Sequence, residues 1–391
     1  MTLFDQGWRH KCAKIGLWRL LGLVLLTTAV SLVAAYWSWI EAQARAVVVL
    51  SSVIETPVLT PTVKIVTEEP QVQDTLLADM PTLVAKPGGE GPWPALLFVN
   101  GATPEGRMHP EVQNLARGLA RAGYLVVVPD LPGLRNGEIT EETVSSTLEA
   151  ARATANLSDA RDGRVGLIGV STGATLALVT AENPDMRDRI SAVVGIAPYT
   201  DIRTVLNIAT TGYYWDGKRY VPYEADPFLS YVVARSLVAN VPCETDREEL
   251  RSELKDINRL DPNPLAGLRA RPTTGDLCPE AQRIVKLLAN EDPERFDELY
   301  MELPTKVREG LDKLSPLAAG EHIVAPVELA SAPHDNYFPA SESSALASIV
   351  PNGQVTITNA LDHAEPDPSL DDVPAFSSFD GFVVRSLRET R

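Results

Sequence analysis

Residues 165–181 read Val-Gly-Leu-Ile-Gly-Val-Ser-Thr-Gly-Ala-Thr-Leu-Ala-Leu-Val-Thr-Ala. The first six residues form an apolar run that predicts a buried strand, and the last eight predict a helix. Between them lies the pattern Gly-x-Ser-x-Gly, with Ser171 at its centre. A sharp turn between a strand and a helix holds such a serine in strained backbone geometry and projects its oxygen beyond the sheet. Gly169 and Gly173 would let the chain pack closely around that turn.

Similar apolar runs occur on both sides of this segment, at residues 95–99, 124–128, 192–197 and 326–330. Stretches with helical periodicity separate them, for example residues 110–122. Strands that are apolar throughout and alternate with helices are typical of a parallel sheet covered on both faces. We therefore predict an α/β fold with a mostly parallel sheet. Two further strands are predicted upstream, at 62–67 and 76–84.

This alternation is interrupted after Pro198, and more than 100 residues with mainly helical patterns follow. We predict that residues 199–318 form a helical cap or lid inserted into a core made of residues 63–198 and 319–391. The insertion leaves the sheet at the carboxyl end of a strand, where ligands bind in such folds, so its early aromatic residues are candidates for a pocket wall. These candidates are Tyr213, Tyr214 and Trp215. The insertion also contains Cys243 and Cys278, either as a disulfide or as two free thiols.

The N-terminal region contains 21 consecutive uncharged residues, 20–40. About 20 apolar residues span the hydrocarbon core of a bilayer, and aromatic residues flank this stretch as they do at membrane interfaces. Basic residues in segment 1–19 predict a cytoplasmic tail, a single-pass transmembrane signal anchor at 20–40, a linker at 41–62 and an extracytoplasmic remainder. A cleaved signal peptide with Ala42-Gln43-Ala44 as its site and a buried core helix are the alternatives.

The net charge of −17 is distributed unevenly. Residues 1–45 carry five basic and two acidic residues, so the remaining chain carries −20. Because nucleic-acid binding requires a basic surface, this composition argues against a nucleic-acid partner. The chain has three cysteines and no Cys-x-x-Cys or His-Glu-x-x-His pattern, so we predict neither a metal site nor a cofactor.

A serine becomes a good nucleophile only when a base accepts its proton and a third group orients that base. His363 follows the last predicted strand and is the candidate base. Asp335 is the candidate acid, with Asp362 and Glu365 as alternatives. The backbone N–H groups of Thr172 and Ala102 are candidates for holding an oxyanion. Arg107 and His109 lie in the loop that follows Ala102, and either could face a substrate.

These motifs together resemble the alpha/beta-hydrolase superfamily, and within it the dienelactone-hydrolase and prolyl-oligopeptidase branch. The resemblance covers about residues 76–198 and 319–391. It is carried by Asn100-Gly101-Ala102, Pro129 to Gly133, Gly169 to Gly173, Asp335 with Pro339, and His363. In these enzymes the triad follows the chain order serine, acid, histidine. Two departures are Asn100, where the family has a histidine, and Ala332, where it commonly has a glycine.

The resemblance implies an alpha/beta-hydrolase fold, to which the patterns described above add a helical cap insertion and an N-terminal transmembrane helix. Together they predict a membrane-anchored serine hydrolase that acts on a small-molecule ester or acyl substrate, with carboxylic ester hydrolysis through an acyl-enzyme on Ser171 as the expected reaction. A peptidase or an acyltransferase would use the same triad. A hydrolase-like ectodomain that only binds a ligand or partner is the alternative from another class. The oligomeric state stays open.

Overall fold

The computed structural model describes residues 36–54, 59–255, 261–271, 277–363, 365–366 and 373–391. Within these residues, eight strands form one sheet. In chain order they are β1 (Gln71–Leu77), β2 (Met80–Lys86), β3 (Trp93–Val99), β4 (Leu125–Pro129), β5 (Ala160–Val170), β6 (Ile190–Ile196), β9 (Val327–Ser331) and β10 (Gly353–Ile357). Strands β7 (Tyr213–Trp215) and β8 (Tyr220–Pro222) form a separate short hairpin. Strands β11 (Leu361–Asp362) and β12 (Glu365–Pro366) form a second antiparallel pair.

The spatial order of the large sheet is β1-β2-β4-β3-β5-β6-β9-β10. From β4 to β10 all neighbouring strands are parallel, and β2 joins β4 in the antiparallel direction. The predicted strand at 76–84 is instead the antiparallel hairpin of β1 and β2, because Ala78 and Asp79 adopt positive φ and reverse the chain. The mostly parallel sheet is confirmed.

Helices cover both faces of the sheet. They are α1 (residues 36–53), α2 (Leu59–Val66), α3 (Pro110–Arg121), α4 (Glu141–Ala155), α5 (Thr172–Glu182), α6 (Ile202–Thr211), α7 (Pro227–Ala239), α8 (Glu244–Lys255), α9 (Ala266–Ala270), α10 (Pro279–Leu288), α11 (Phe296–Glu302), α12 (Thr305–Asp312), α13 (Ala340–Ile349) and α14 (Val373–Glu389).

The alternation of side chains along the buried strands produces two apolar clusters. Ala95, Leu97 and Val99 of β3 face the cluster formed with α4, α5, α13 and the helices after β6. Leu96 and Phe98 face the opposite cluster, which is formed with α1, α3 and α14. Successive side chains of a strand point to opposite faces, so an apolar run without alternation requires cover on both sides.

The described part of residues 199–318 is mainly helical, from α6 to α12, and includes the hairpin of β7 and β8. Its first residues are fixed to the core by the buried Glu342 of α13. One carboxylate oxygen of Glu342 accepts the backbone N–H groups of Thr200, at 2.7 Å, and Asp201, at 2.8 Å. Burial raises the pKa of Glu342 above its usual value. Cys243 and Cys278 form a disulfide between the start of α8 and the start of α10.

The segment 41–62, which we expected to be a linker, is largely helical. Ala42, Ala46 and Val49 lie at helical spacing along α1 and are buried in the cluster with α3 and α14. The strand predicted at 62–67 falls mostly within α2 and was also wrong.

The predicted membrane anchor lies mostly outside the described residues. Segments 1–19 and 20–35 belong to that part, while residues 36–40 are the first described residues of α1 and include the exposed Tyr36, Trp37 and Ile40. Among the helices that the structure describes, none combines the length and the apolar character needed to cross a bilayer.

Candidate active site

Ser171 lies between β5 and α5 with φ of 53° and ψ of −127°. A positive φ is uncommon for a residue with a Cβ and stores local strain. The turn is held in place from the neighbouring strand, because the backbone N–H of Ser171 donates to the carbonyl of Ile196 at 2.8 Å. The strained turn predicted from the sequence is therefore present.

The two glycines of the pattern are required by close backbone contacts. A Cβ added to Gly169 would lie 2.4 Å from the Cα of Ala174. A Cβ added to Gly173 would lie 2.1 Å from the carbonyl oxygen of Val99 and 2.3 Å from that of Asn100. These neighbours are backbone atoms, so they have little freedom to move aside. A side chain at Gly169 would separate β5 from the start of α5, and a side chain at Gly173 would separate α5 from the end of β3.

His363 contacts Asp335 through its Nδ1, which lies 2.8 Å from Oδ2 and 2.9 Å from Oδ1 of the carboxylate. Asp335 is buried, and its Oδ1 also accepts the backbone N–H groups of Tyr337 and Phe338 at 2.7 and 3.0 Å. Asp362 is exposed, and the side chain of Glu365 is outside the described part of the chain.

Aromatic residues fix the imidazole and the loop that carries the acid. The ring of Tyr337 lies 4.3 Å and that of Phe338 5.8 Å from the ring of His363, measured between centroids. The hydroxyl of Tyr223 donates to the backbone carbonyl of Asp335. Burial is the main cause that raises the pKa of Tyr223, and the negative charge of Asp335 raises it further. The hydroxyl of Tyr223 therefore keeps the proton that it donates.

The turn after β3 is braced by Asn100, the residue that departs from the family pattern. Its side-chain Oδ1 accepts the backbone N–H of Gly101 at 2.9 Å, and its Nδ2 donates to the carbonyl of Gly106 at 3.2 Å. This arrangement holds the turn that precedes Ala102. Thr172 is the first residue of α5, and the first N–H groups of a helix have no acceptor within that helix.

A cavity of about 490 Å³ connects these groups. Ser171, His363, Ala102 and Thr172 all line it, as does the predicted His109. The structure thus brings together the candidate nucleophile, the candidate base with its acid, and the two residues proposed to hold an oxyanion.

Arg107 does not line this cavity. Its backbone N–H donates to Asp130 at 2.9 Å, and its guanidinium group pairs with the carboxylates of Asp130 and Asp74. The residue therefore braces the loop against β1 and β4 and does not face a substrate there.

Tyr213, Tyr214 and Trp215 are also absent from the cavity wall. They form β7, where Tyr214 packs edge-on against Tyr223 and Trp215 against Tyr220. The aromatic residue that reaches the cavity from the insertion is Phe228 of α7. We predicted a pocket wall here because the insertion leaves the sheet at the carboxyl end of a strand, but these residues pack against other aromatic residues of the insertion.

A large part of the cavity wall comes from α1, α3 and α14, whose residues were not predicted to line it, apart from His109 just before α3. Val49, Leu50 and Val53 are the contributions of α1. Their spacing of one, three and four residues was a helical signal that we assigned to a linker.

One group of side chains with metal-ligand atoms occurs among the described residues, namely Cys243, Asp246 and Cys278. Its sulfur atoms are joined in the disulfide, and Asp246 accepts the backbone N–H of Cys278 at 2.6 Å. This group therefore serves to hold the disulfide region.

The family model for the alpha/beta hydrolase family matches residues 96–351, more than half of the chain. The chain belongs to that family. None of the curated proteins is similar enough in sequence to match it.

Similar folds occur among solved structures. A proline iminopeptidase from Mycobacterium smegmatis is 17% identical with a TM-score of 0.44, covering 82% of this chain and 98% of its own. A 2,6-dihydroxy-pseudo-oxynicotine hydrolase is 15% identical with a TM-score of 0.42, and the match covers 81% of this chain and 68% of the hydrolase. A membrane phospholipase A, a bacterial virulence factor, is 16% identical with a TM-score of 0.40, covering 94% and 98%.

Proposed function

We propose that the protein is a serine hydrolase that cleaves carboxylic esters through an acyl-enzyme on Ser171. The observation that carries this proposal is the contact between His363 and Asp335 beside a cavity that also contains the strained Ser171. A carboxylate on Nδ1 fixes the tautomer in which Nε2 accepts a proton and stabilises the imidazolium that then forms.

In the proposed reaction Ser171 Oγ attacks the acyl carbon while His363 Nε2 takes its proton. The N–H groups of Thr172 and Ala102 hold the oxyanion. The bond between the acyl carbon and the alcohol oxygen then breaks, and the alcohol leaves with the proton from His363. Water attacks the acyl-enzyme in the same way, so that ester and water become acid and alcohol.

The same residues would support a peptidase or an acyltransferase, so the substrate decides between these activities. The apolar character of much of the cavity wall favours an ester over a peptide, since a peptide brings polar groups that need buried partners.

The first experiment treats the purified protein with a fluorophosphonate probe and measures turnover of short p-nitrophenyl esters and aminoacyl p-nitroanilides. We expect labelling at Ser171 and ester turnover, both lost in Ser171→Ala and His363→Ala. Absence of labelling and turnover in the parent protein would instead favour a protein that only binds a ligand. Activity that survives Ser171→Ala would refute the nucleophile.

The proposal includes attachment to a membrane through residues 20–40, with the hydrolase on the extracytoplasmic side. The exposed Tyr36 and Trp37 at the start of α1 support it, because such residues favour the interface between membrane and water. An alkaline phosphatase fused after Ile54 should be active, whereas a reporter that works only in the cytoplasm should be inactive. The reverse result would contradict this orientation.

A further inference from the structure

The cavity at Ser171 continues along the face of the sheet that α1, α3 and α14 cover. Its wall on the sheet side contains Phe98, Ile168 and Val194, one residue from each of three neighbouring strands. Leu119 of α3 and Phe382 of α14 line it from the helix side. These five residues are almost completely buried, so the cavity enters the apolar interior.

The charged or titratable side chains of the wall lie outside α1 and α14. They are His109, Glu111 in the first turn of α3, Tyr337, Asp362 and His363. The remaining wall on α1, α3 and α14 is aliphatic or aromatic except for Ser386, whose Oγ has no hydrogen-bond partner among the described residues. A polar ligand would lose its hydration in this part without finding partners.

Helix α1 is firmly seated as one wall of this region. At Gly118 of α3 an added Cβ would lie 2.8 Å from the Cβ of Ser52, so the two helices are nearly in backbone contact. On the other side, Gln43 donates to Asp380 of α14 at 3.0 Å. The guanidinium group of Arg388 lies 4.4 Å from the ring centre of Trp39. The cavity is therefore bounded by the helix whose first described residues, 36–40, are also the last residues of the proposed anchor.

We infer that this apolar region binds one linear hydrocarbon chain of the ester, of medium to long length, while the ester carbonyl lies at Ser171. The inference rests on the proposed function and adds the substrate class. A volume of about 490 Å³ falls within the range of roughly 300–1,000 Å³ that is typical of small-molecule sites. Each methylene that the cavity fully buries should raise kcat/KM about fourfold, the equivalent of ~0.8 kcal/mol.

The test measures kcat/KM of the full-length protein for two ester series. One series is p-nitrophenyl acetate, butyrate, hexanoate and octanoate, and the other consists of acetates of linear alcohols of the same lengths. We expect kcat/KM to rise at least about tenfold along one of them, and the series that rises shows whether the acyl or the alcohol side enters the cavity. Values that stay flat or fall in both series would overturn the inference.

Substitutions in the wall make the test specific. Leu50→Trp fills the cavity from α1, and Ser386→Leu fills it from α14. Each should lower the ratio of long-chain to short-chain kcat/KM at least about tenfold. Val47→Trp is the matched control, because Val47 lies on the same helix, is 37% exposed and is not part of the wall. The ratio of long-chain to short-chain kcat/KM of Val47→Trp should stay within about twofold of the value for the parent protein.

Thermal unfolding identifies a variant that fails to fold. If either Leu50→Trp or Ser386→Leu fails, the other substitution still measures the effect of filling the cavity. If both folded variants keep the parent ratio, the inference is wrong. Fluorophosphonate labelling separates this failure from that of the proposed function. Labelled protein without chain-length preference refutes only the hydrocarbon site, whereas unlabelled protein without turnover refutes the hydrolase and the substrate class together.

Discussion

Nδ1 of His363 lies 2.8 Å from Oδ2 of Asp335, and the two residues are 28 positions apart in the chain. The same carboxylate also accepts two backbone N–H groups, so its position is fixed before any substrate binds. In the proposed mechanism this contact sets the tautomer of His363. Asp335 thus has two roles, one in organising its own loop and one in orienting the base.

Asp335→Asn separates these roles. The amide oxygen can still accept the N–H groups of Tyr337 and Phe338, so the fold should persist. The charge and the correct tautomer of His363 are lost, and we expect kcat to fall by about three to four orders of magnitude. Steady-state kinetics of ester hydrolysis measure the effect. Asp362→Asn is the control and should cost less than about tenfold; a larger loss there than at Asp335 would reverse the assignment.

Gly173→Ala tests the close approach of α5 to β3. Because the new Cβ would meet the carbonyls of Val99 and Asn100 at 2.1 and 2.3 Å, the turns at Ser171 and Asn100 must move apart. We expect a loss of about 1–3 kcal/mol in the free energy of unfolding, together with a strong loss of ester turnover. Gly310→Ala in α12, where an added Cβ meets nothing within 4 Å, should leave ester turnover unchanged and should raise the free energy of unfolding by up to about 1 kcal/mol. Equal effects of the two substitutions would contradict the argument.

The sheet and the site were largely predictable from sequence. Strands β3, β4 and β6 and the second half of β5 are short apolar runs. The turn at Ser171 requires two glycines at fixed positions. His363 could be found because it lies in the loop after the last strand of the sheet, and the choice of Asp335 needed only its place after β9. The chemistry restricts these residues so strongly that few others fit.

The cavity wall was not predictable in the same way. Ala42 and Ala46 carry little hydrophobic signal, although their small size lets α1 lie close to the core. Which helix of the insertion reaches Ser171 depends on the path of α6 and the following hairpin, and this path follows from tertiary packing. The three aromatic residues that we selected for the pocket wall do not line the cavity, whereas Phe228, farther along the same aromatic-rich segment, does.

The disulfide between Cys243 and Cys278 closes a loop of 35 residues within the insertion. Removing a cross-link of this size allows the unfolded chain more conformations, so Cys243→Ala with Cys278→Ala should lower the free energy of unfolding by about 2–4 kcal/mol. Urea unfolding of parent and variant measures the difference. The same loss should appear when the parent is reduced with dithiothreitol, and the reductant should not affect the variant further. A parent unaffected by reduction would show that the disulfide is not formed in solution.

Glu182, at the end of α5, gives the stability a dependence on pH. Its Oε1 is buried with no hydrogen-bond partner among the described residues, and burial raises its pKa from 4.5 to about 8. The unfolded chain releases this proton near pH 4.5, whereas the folded chain keeps it until about pH 8. The contribution to stability is therefore complete below pH 4.5 and is lost as pH rises through about 8.

Glu182→Gln removes this ionisation. In urea unfolding at pH 5, 7 and 9, we expect the free energy of unfolding of the parent to decline with rising pH and that of the variant to decline less. At pH 9 the variant should be the more stable protein by up to a few kcal/mol. Asp185→Asn is the matched control, since the Asp185 side chain is 75% exposed and should leave the pH dependence of the parent in place. Parallel curves for the parent and Glu182→Gln would mean that the Glu182 carboxyl is hydrated in the folded protein.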